Sequence, residues 1–331
     1  MKIAVADDYQ GVFKSTPTFG KLAGHDVAAY SEAVKDIDQL VSRLRDADIV
    51  VLTQQRTRFP RALIERLPKL AFISQTGRNT GHLDVAACTE RGIVVSAIGG
   101  GQPHATVELT WGLIIASVRH LPYEIAQLKE GRWQSTLGSR LFGSTLGIYA
   151  YGRIGKLVAN VGRAFGMRIL CWGREASTQR AKEDGFEVAS SRREFFEQAD
   201  IVSLHIPLRS ETRGIITAED LALMKPGALL VNTSRAGIIA SGALVEALKK
   251  GRPGFAAVDV FDDEPVLGAE DPLLHLPNAL CTPHLGYATR ETITHHYEDA
   301  IDQIEAFMAG KPINVVNSEA LGKNAALNSA K

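Results

Sequence analysis

Short apolar runs alternate with stretches of helical period along nearly the whole chain, the pattern of a parallel sheet covered by helices. In the first hundred residues the alternation predicts strands at 3–6, 27–30, 49–52, 70–74 and 93–95. Helical stretches fall between them at 37–45, 60–66 and 83–91. Gly99-Gly100-Gly101-Gln102-Pro103 interrupts the pattern, and a long apolar helix over 106–119 follows, placed to cross from one domain to another. A second series opens at Thr145 and continues with strands at 169–172, 201–206, 229–232, 255–259 and 280–282. An amphipathic helix over 290–308 and an extended segment over 311–316 come last. The tail from Ser318, rich in Ala and Asn, has no core pattern and is expected to be loose.

The fold class expected is therefore α/β, with two doubly wound parallel-sheet domains. If the last helix packs back on the first series, that domain is discontinuous: residues 1–103 plus 288–317, with 104–287 as the second domain and 318–331 as the tail. A small ligand is expected in the cleft between the two. A length of 331 residues, 45% of them hydrophobic, suits two domains each with its own core. Thirty-seven basic residues balance thirty-seven acidic ones, and no basic stripe or charge block points to nucleic acid or a lipid surface. Cys88, Cys171 and Cys281 are far apart, without paired or metal-ligand spacing, and read as small hydrophobes in a reducing compartment. No metal is expected. Met1-Lys2-Ile3-Ala4-Val5 runs directly into a strand and is no signal peptide, so a cytoplasmic location is expected.

Ala150-Tyr151-Gly152-Arg153-Ile154-Gly155 lies between the apolar run Leu146-Gly147-Ile148-Tyr149 and an amphipathic stretch ending near Gly166. Strand, glycine turn and helix form the context of a dinucleotide site. Gly152 lets the backbone approach a pyrophosphate, Gly155 lets helix and strand pack closely, and the helix N-terminus offers N–H groups to the anion. Ala150 stands where the fingerprint has its first glycine, so the turn is expected to keep φ negative there.

Four segments then follow in order: Tyr151-Gly152-Arg153-Ile154-Gly155, Val231-Asn232-Thr233-Ser234-Arg235, Asp259-Val260-Phe261-Asp262-Asp263-Glu264-Pro265 and Thr282-Pro283-His284-Leu285-Gly286. With His205-Ile206-Pro207-Leu208 and Ala164-Phe165-Gly166-Met167, the set resembles the D-isomer-specific 2-hydroxyacid dehydrogenase family, which includes D-3-phosphoglycerate dehydrogenase and glyoxylate/hydroxypyruvate reductase. The resemblance implies a flavodoxin-like substrate domain, a Rossmann nucleotide domain and a homodimer. It implies NAD(P)-dependent reduction of a small 2-oxo acid to a D-2-hydroxy acid.

By the same resemblance, Arg235 grips the substrate's carboxylate and carbonyl, a task for a permanent cation with a planar fork. His284 is the acid/base that protonates the developing alkoxide, and Glu264 orients it. Asp259 meets the nicotinamide carboxamide, although an aspartate at a strand end also caps turns. His205, Ile206, Pro207, Thr233 and Ser234 belong to the cofactor side. Taken alone, Arg235 reads as a surface ion pair and Glu264 as a loop acid; the ordered context singles them out.

Two departures bear on specificity. The second strand of the nucleotide unit ends Cys171-Trp172-Gly173-Arg174-Glu175, with Gly173 in place of the carboxylate that reads an NAD ribose. Arg174 can pair with a 2′-phosphate, which favours NADP over NAD, while Glu175 offers a competing ribose acceptor. Where the resemblance implies a glycine-rich loop whose N–H groups hold the substrate carboxylate, Gln75-Thr76-Gly77-Arg78-Asn79-Thr80-Gly81 keeps Gly77 and Gly81 but adds Arg78, which meets either a second acidic group on the substrate or a neighbouring acid. Two other classes compete with the enzyme: a non-catalytic nucleotide sensor or corepressor, against which Arg235, Glu264 and His284 all speak, and a formate dehydrogenase-like enzyme, expected to carry Gln at 264. No regulatory small-molecule domain follows, so feedback by serine is not expected.

Overall fold

The computed structural model describes residues 1–99 and 102–328. Gly100 and Gly101 of the predicted interruption, and the last three positions of the tail, lie outside the described residues. The chain forms two units, Met1–Gln102 with Thr289–Lys331, and Pro103–Ala288.

The first unit is built on five parallel strands: β1 (Lys2–Val5), β2 (Asp26–Ala29), β3 (Ile49–Thr53), β4 (Phe72–Thr76) and β5 (Val94–Ile98). Their order is β2-β1-β3-β4-β5, the flavodoxin-like arrangement. Every residue of β3 and β4 is buried, as strands covered on both faces must be. The helix Arg290–Met308 supplies one cover. Thr289 caps its start by accepting from Thr292 N, and Ile293, Tyr297, Ile301, Ile304 and Phe307 recur at helical spacing on its buried face. Phe307 stacks on Phe72 of β4 at 4.4 Å between ring centroids. Chain segments nearly 190 residues apart (102 and 289 at their nearest) thus share one core.

β4 runs two residues beyond its predicted end, because Gln75 and Thr76 are polar yet 1% exposed. Beyond the helix, residues 313–316 lie antiparallel along β5: Ala97 N donates to Asn314 O at 3.0 Å and Val316 N to Val95 O at 2.9 Å. This covers an edge that would otherwise expose unpaired backbone groups. The expectation of a loose tail is corrected for 318–328. Asn317 accepts from Val95 N at 2.8 Å and donates to Ile93 O at 2.9 Å. Asn324 donates to Ala71 O and Gly92 O, both at 2.8 Å, and Ala320 between them is fully buried. Buried carboxamides that satisfy backbone groups carry no hydrophobic pattern, which is why composition alone misread this segment.

The second unit holds seven parallel strands: β6 (Thr145–Tyr149), β7 (Arg168–Trp172), β8 (Glu187–Val188), β9 (Ile201–Leu204), β10 (Leu229–Asn232), β11 (Phe255–Val258) and β12 (Ala279–Cys281). Their order is β12-β11-β10-β9-β6-β7-β8. Counted from β6 this is the Rossmann order with a seventh strand, and it reverses direction between β6 and β9, where such sheets bind ligands. The long apolar helix, His104–Val118, packs within this unit against the helix Arg153–Ala164 and strands β10 and β11. Among the described residues no helix is long and apolar enough to cross a membrane.

Candidate active site

Strand register brings the candidate residues of the second unit to one edge. Trp172 pairs with Tyr149, Tyr149 with Leu204, Leu204 with Asn232, Asn232 with Val258, and Val258 with Cys281. Six strands therefore end in one row. The residues that leave it are Gly173, Ala150, His205, Thr233, Asp259 and Thr282.

After β6 the chain turns at Ala150, whose φ is +72°, not negative as expected. A left-handed alanine costs on the order of 1 kcal/mol, and the tight turn is kept nonetheless: Gly152 N donates to Ala150 O at 2.9 Å. Gly152 then starts the helix Arg153–Ala164 without any side-chain cap. By helix geometry the first N–H groups of a helix, here those of Ile154 and Gly155, have no carbonyl one turn back and suit an anion. A Cβ on Gly155 would lie 2.8 Å from Ala150 O and 3.1 Å from Ile148, so close packing requires this glycine. A Cβ on Gly152 would meet no protein atom within 4 Å. Internal packing gives no reason for glycine at 152; close approach of a ligand does.

Tyr151, in contrast, is 1% exposed, and its hydroxyl donates to Asp184 at 2.6 Å. Burial raises the phenol above its usual range, and that hydrogen bond together with Lys156 holds Asp184 below its own. These groups, with Gly152, Arg153, Arg180 and Glu183, line a pocket of about 310 Å³ beside the glycine turn.

At the other end of the row, His284 Nδ1 lies 2.5 Å from Glu264 Oε2. Glu264 is held in turn by Phe261 N, which donates to Oε1 at 2.8 Å. With Nδ1 committed to the carboxylate, ring orientation and tautomer are set, and Nε2 is the nitrogen left to exchange a proton. The imidazole is about one-quarter exposed, so a small substrate can reach it. His284 has φ +52°, a strained value for a residue with a side chain. Asp259 over-determines the turn that holds it: Oδ1 accepts from Thr282 Oγ1 at 2.6 Å and Leu285 N at 2.7 Å, and Oδ2 from Gly286 N at 2.8 Å. Full burial pushes the Asp259 carboxyl above the usual range, and these three bonds oppose that shift. Both carboxylate oxygens thus serve the histidine turn, the capping role of an aspartate at a strand end.

Arg235 ends a loop fixed at each preceding residue. Thr233 shares a hydrogen bond with Thr110 at 2.9 Å, and Ser234 Oγ donates to Leu204 O at 2.7 Å. Asn232 accepts from Ser234 N at 3.0 Å and donates to Arg235 O at 2.9 Å. The guanidinium is half-buried, with Nη1 donating to Ser234 O at 2.7 Å.

His205 packs beside Gly155 and shares a 3.0 Å hydrogen bond with Ser203, and burial pulls its pKa down to about 4, so the ring is neutral. Ile206 is a core residue at 5% exposure, and Pro207 is exposed. Arg174 occupies the N-cap position of the helix Glu175–Glu183 without a side-chain cap and is exposed, as is Glu175 in the first turn. In the first unit, Gly77 (φ +117°) donates to Ile98 O at 2.6 Å, and Arg78 is exposed with no acidic partner among the described residues. Sequence reasoning missed Thr282 as a ligand of Asp259, and Tyr287, whose ring stands edge-on to His284 at 5.4 Å. Only their closeness to His284 in the chain could have pointed to either.

A Rossmann sheet with a glycine turn at its reversal, and a histidine–carboxylate pair on the same edge, define a dinucleotide-dependent oxidoreductase. The chain belongs to the D-isomer specific 2-hydroxyacid dehydrogenase family: residues 111–286 match that family's NAD-binding domain. Over 294 residues it is 38% identical to a D-3-phosphoglycerate dehydrogenase of Methanocaldococcus jannaschii, covering 86% of this chain and 56% of that one. It thus spans little more than half of that relative. Over 292 residues it is 38% identical to a glyoxylate reductase of Aeropyrum pernix, covering 85% of this chain and 86% of that one. The crystal structure of a phosphoglycerate oxidoreductase from Vibrio cholerae superimposes with a TM-score of 0.89 at 45% identity, covering 93% and 98% of the two chains.

Proposed function

We propose that the protein reversibly reduces a small 2-oxo acid to the D-2-hydroxy acid, and the observation that carries this is the His284–Glu264 pair at 2.5 Å on the strand-end row. The nicotinamide cofactor, when bound, supplies or takes up the hydride. Gly152 and the N–H groups of Ile154 and Gly155 receive its pyrophosphate, and Gly173, His205, Ile206, Pro207, Thr233 and Ser234 shape the surrounding walls. Arg235 holds the substrate's carboxylate and carbonyl, which aligns the carbonyl carbon and withdraws charge from it. His284 Nε2 delivers a proton to the carbonyl oxygen as charge develops there, and removes it in the reverse direction. Glu264 keeps the ring in register throughout. A panel of 2-oxo acids, each assayed with NADH and NADPH, tests this reading; no turnover with any of them would overturn it.

The preferred cofactor in this reading is NADP. The end of β7 offers Gly173 and Arg174 where NAD-selective sites place a carboxylate. Arg174→Ala is expected to weaken NADPH binding about 10- to 100-fold and leave NADH almost unchanged, the loss of one charge-assisted contact. Fluorescence titration reads both. Tighter binding of NADH than NADPH by the unaltered protein would assign the ribose to Glu175 instead.

For the substrate, Arg78 supplies a cation for a second acidic group; Gly77, whose own N–H is committed to Ile98 O at 2.6 Å, sets the turn that carries it rather than donating to the carboxylate as expected. Arg78→Ala is expected to cut kcat/KM about 10- to 100-fold on a phosphorylated or dicarboxylic 2-oxo acid and hardly at all on glyoxylate or pyruvate. An equal loss on all substrates would make Arg78 structural.

A homodimer is the expected assembly. Trp133, Leu137 and Phe142 are 77%, 95% and 69% exposed, and Leu121, Tyr123, Ile125 and Leu128 precede them in the same stretch. This many exposed apolar side chains in one stretch supports an interface with a second copy. Leu137→Glu should shift sedimentation from dimer toward monomer; a protein that sediments as a monomer before substitution would contradict the assignment.

A further inference from the structure

The substrate loop of the first unit begins at Gly77, and what surrounds Gly77 is unusual. β3, β4 and β5 end in register at Thr53, Thr76 and Ile98, so Gln54, Gly77 and Gly99 leave the sheet side by side. Gln54 has φ +53°, a left-handed conformation that glycine adopts freely and glutamine does not. Its backbone is tied on both sides: N donates to Thr76 Oγ1 at 2.9 Å, and O accepts from Gln75 Nε2 at 2.7 Å. Its carboxamide lies across the face of Gly77, within 2.9–3.0 Å of where a Cβ on Gly77 would stand. On another side, a Cβ on Gly99 would lie 2.6 Å from Gly77 Cα. The carboxamide nitrogen is 3.3 Å from His296 Nδ1, and His296 is 3% exposed on the helix Arg290–Met308. Burial, with the nearby charges of His295 and Arg56, pulls His296 down to about 4, so its ring is neutral and keeps an acceptor nitrogen for the carboxamide.

We infer that Gln54 is a positioning residue: held against His296, its carboxamide clamps Gly77 against Gly99 and so sets where Arg78, the next residue, meets the substrate's anionic group. The inference rests on the proposed substrate role of Arg78 and deepens it. A side chain that merely fills space would not require a left-handed backbone fixed by two neighbours and a buried histidine. The clamp acts on binding geometry, not on the chemical step, which belongs to His284.

Gln54→Gly suits the observed backbone angle, so the fold is retained while the carboxamide is removed. It should raise amide hydrogen exchange across 77–81 about tenfold or more. It should also raise KM for a phosphorylated or dicarboxylic 2-oxo acid about five- to tenfold, with kcat within about twofold. His296→Leu, which removes the acceptor, should reproduce both changes, and His296→Gln, which restores a polar partner, should rescue them. Unchanged exchange in the loop, or a fall in kcat with KM constant, would overturn the inference. The exchange measurement needs no turnover. If the unaltered protein reduced no 2-oxo acid the functional reading would fall, and exchange would still decide whether Gln54 holds the loop.

Discussion

His284→Ala is expected to lower kcat on the best 2-oxo acid about 10²- to 10⁴-fold while leaving NAD(P)H affinity within about twofold. The asymmetry follows from the layout of the strand-end row. The glycine turn that would receive the pyrophosphate follows β6, whereas His284 follows β12, four strands away in sheet order. Removing the imidazole takes away the proton donor, and the alkoxide that develops on hydride transfer must then draw a proton from water. Alanine bears the same kind of left-handed strain as histidine at φ +52°, so the turn itself should survive, still tied by Asp259 to Leu285 and Gly286. Steady-state kinetics beside a fluorescence titration reads both halves of the expectation. Near-normal turnover would remove His284 from proton transfer.

Arg235→Lys should reduce kcat/KM on the order of 100-fold, through a higher KM and a lower kcat together. The charge is retained; what is lost is the fork. In the wild-type chain one end of the guanidinium is committed to Ser234 O at 2.7 Å, which sets the plane of the remaining donors. An ammonium cannot hold that carbonyl and present two parallel N–H bonds to a carboxylate. If Arg235→Lys retained wild-type kcat/KM, planar recognition at this position would be excluded and only its charge would matter.

The parts of the fold that rest on hydrophobic periodicity were legible in the chain. The helix Arg290–Met308 falls at its predicted bounds, and β10 at Leu229–Asn232 does too, because an apolar face or run has to be buried somewhere. What escaped is polar and local. The docked tail depends on Asn317 and Asn324, whose carboxamides replace backbone partners and leave no periodic trace. β4 extends through Gln75 and Thr76 because the strand end is where the fold keeps polar groups inside for use by a loop. The positive φ of Ala150 was invisible because alanine ordinarily avoids it; only the surrounding turn imposes it. At the candidate site, the ordered motifs named the residues, and the strand register supplies the reason they share an edge. The double duty of Asp259's oxygens in holding the histidine turn depends on atoms from 282, 285 and 286 that no motif reports.

The first unit's sheet is covered by a helix that the chain does not reach until residue 290. In time rather than space, this sets an order of assembly on the ribosome. All of residues 103–288 emerge before Phe307 can stack on Phe72, so the nucleotide unit can fold while β3 and β4 still wait for one of their covers. At about 5–20 residues per second that wait lasts on the order of ten seconds or more. During that interval the strands Ile49–Thr53 and Phe72–Thr76, every residue of which is buried in the finished fold, lack one of their covers, the kind of transient exposure that chaperones serve.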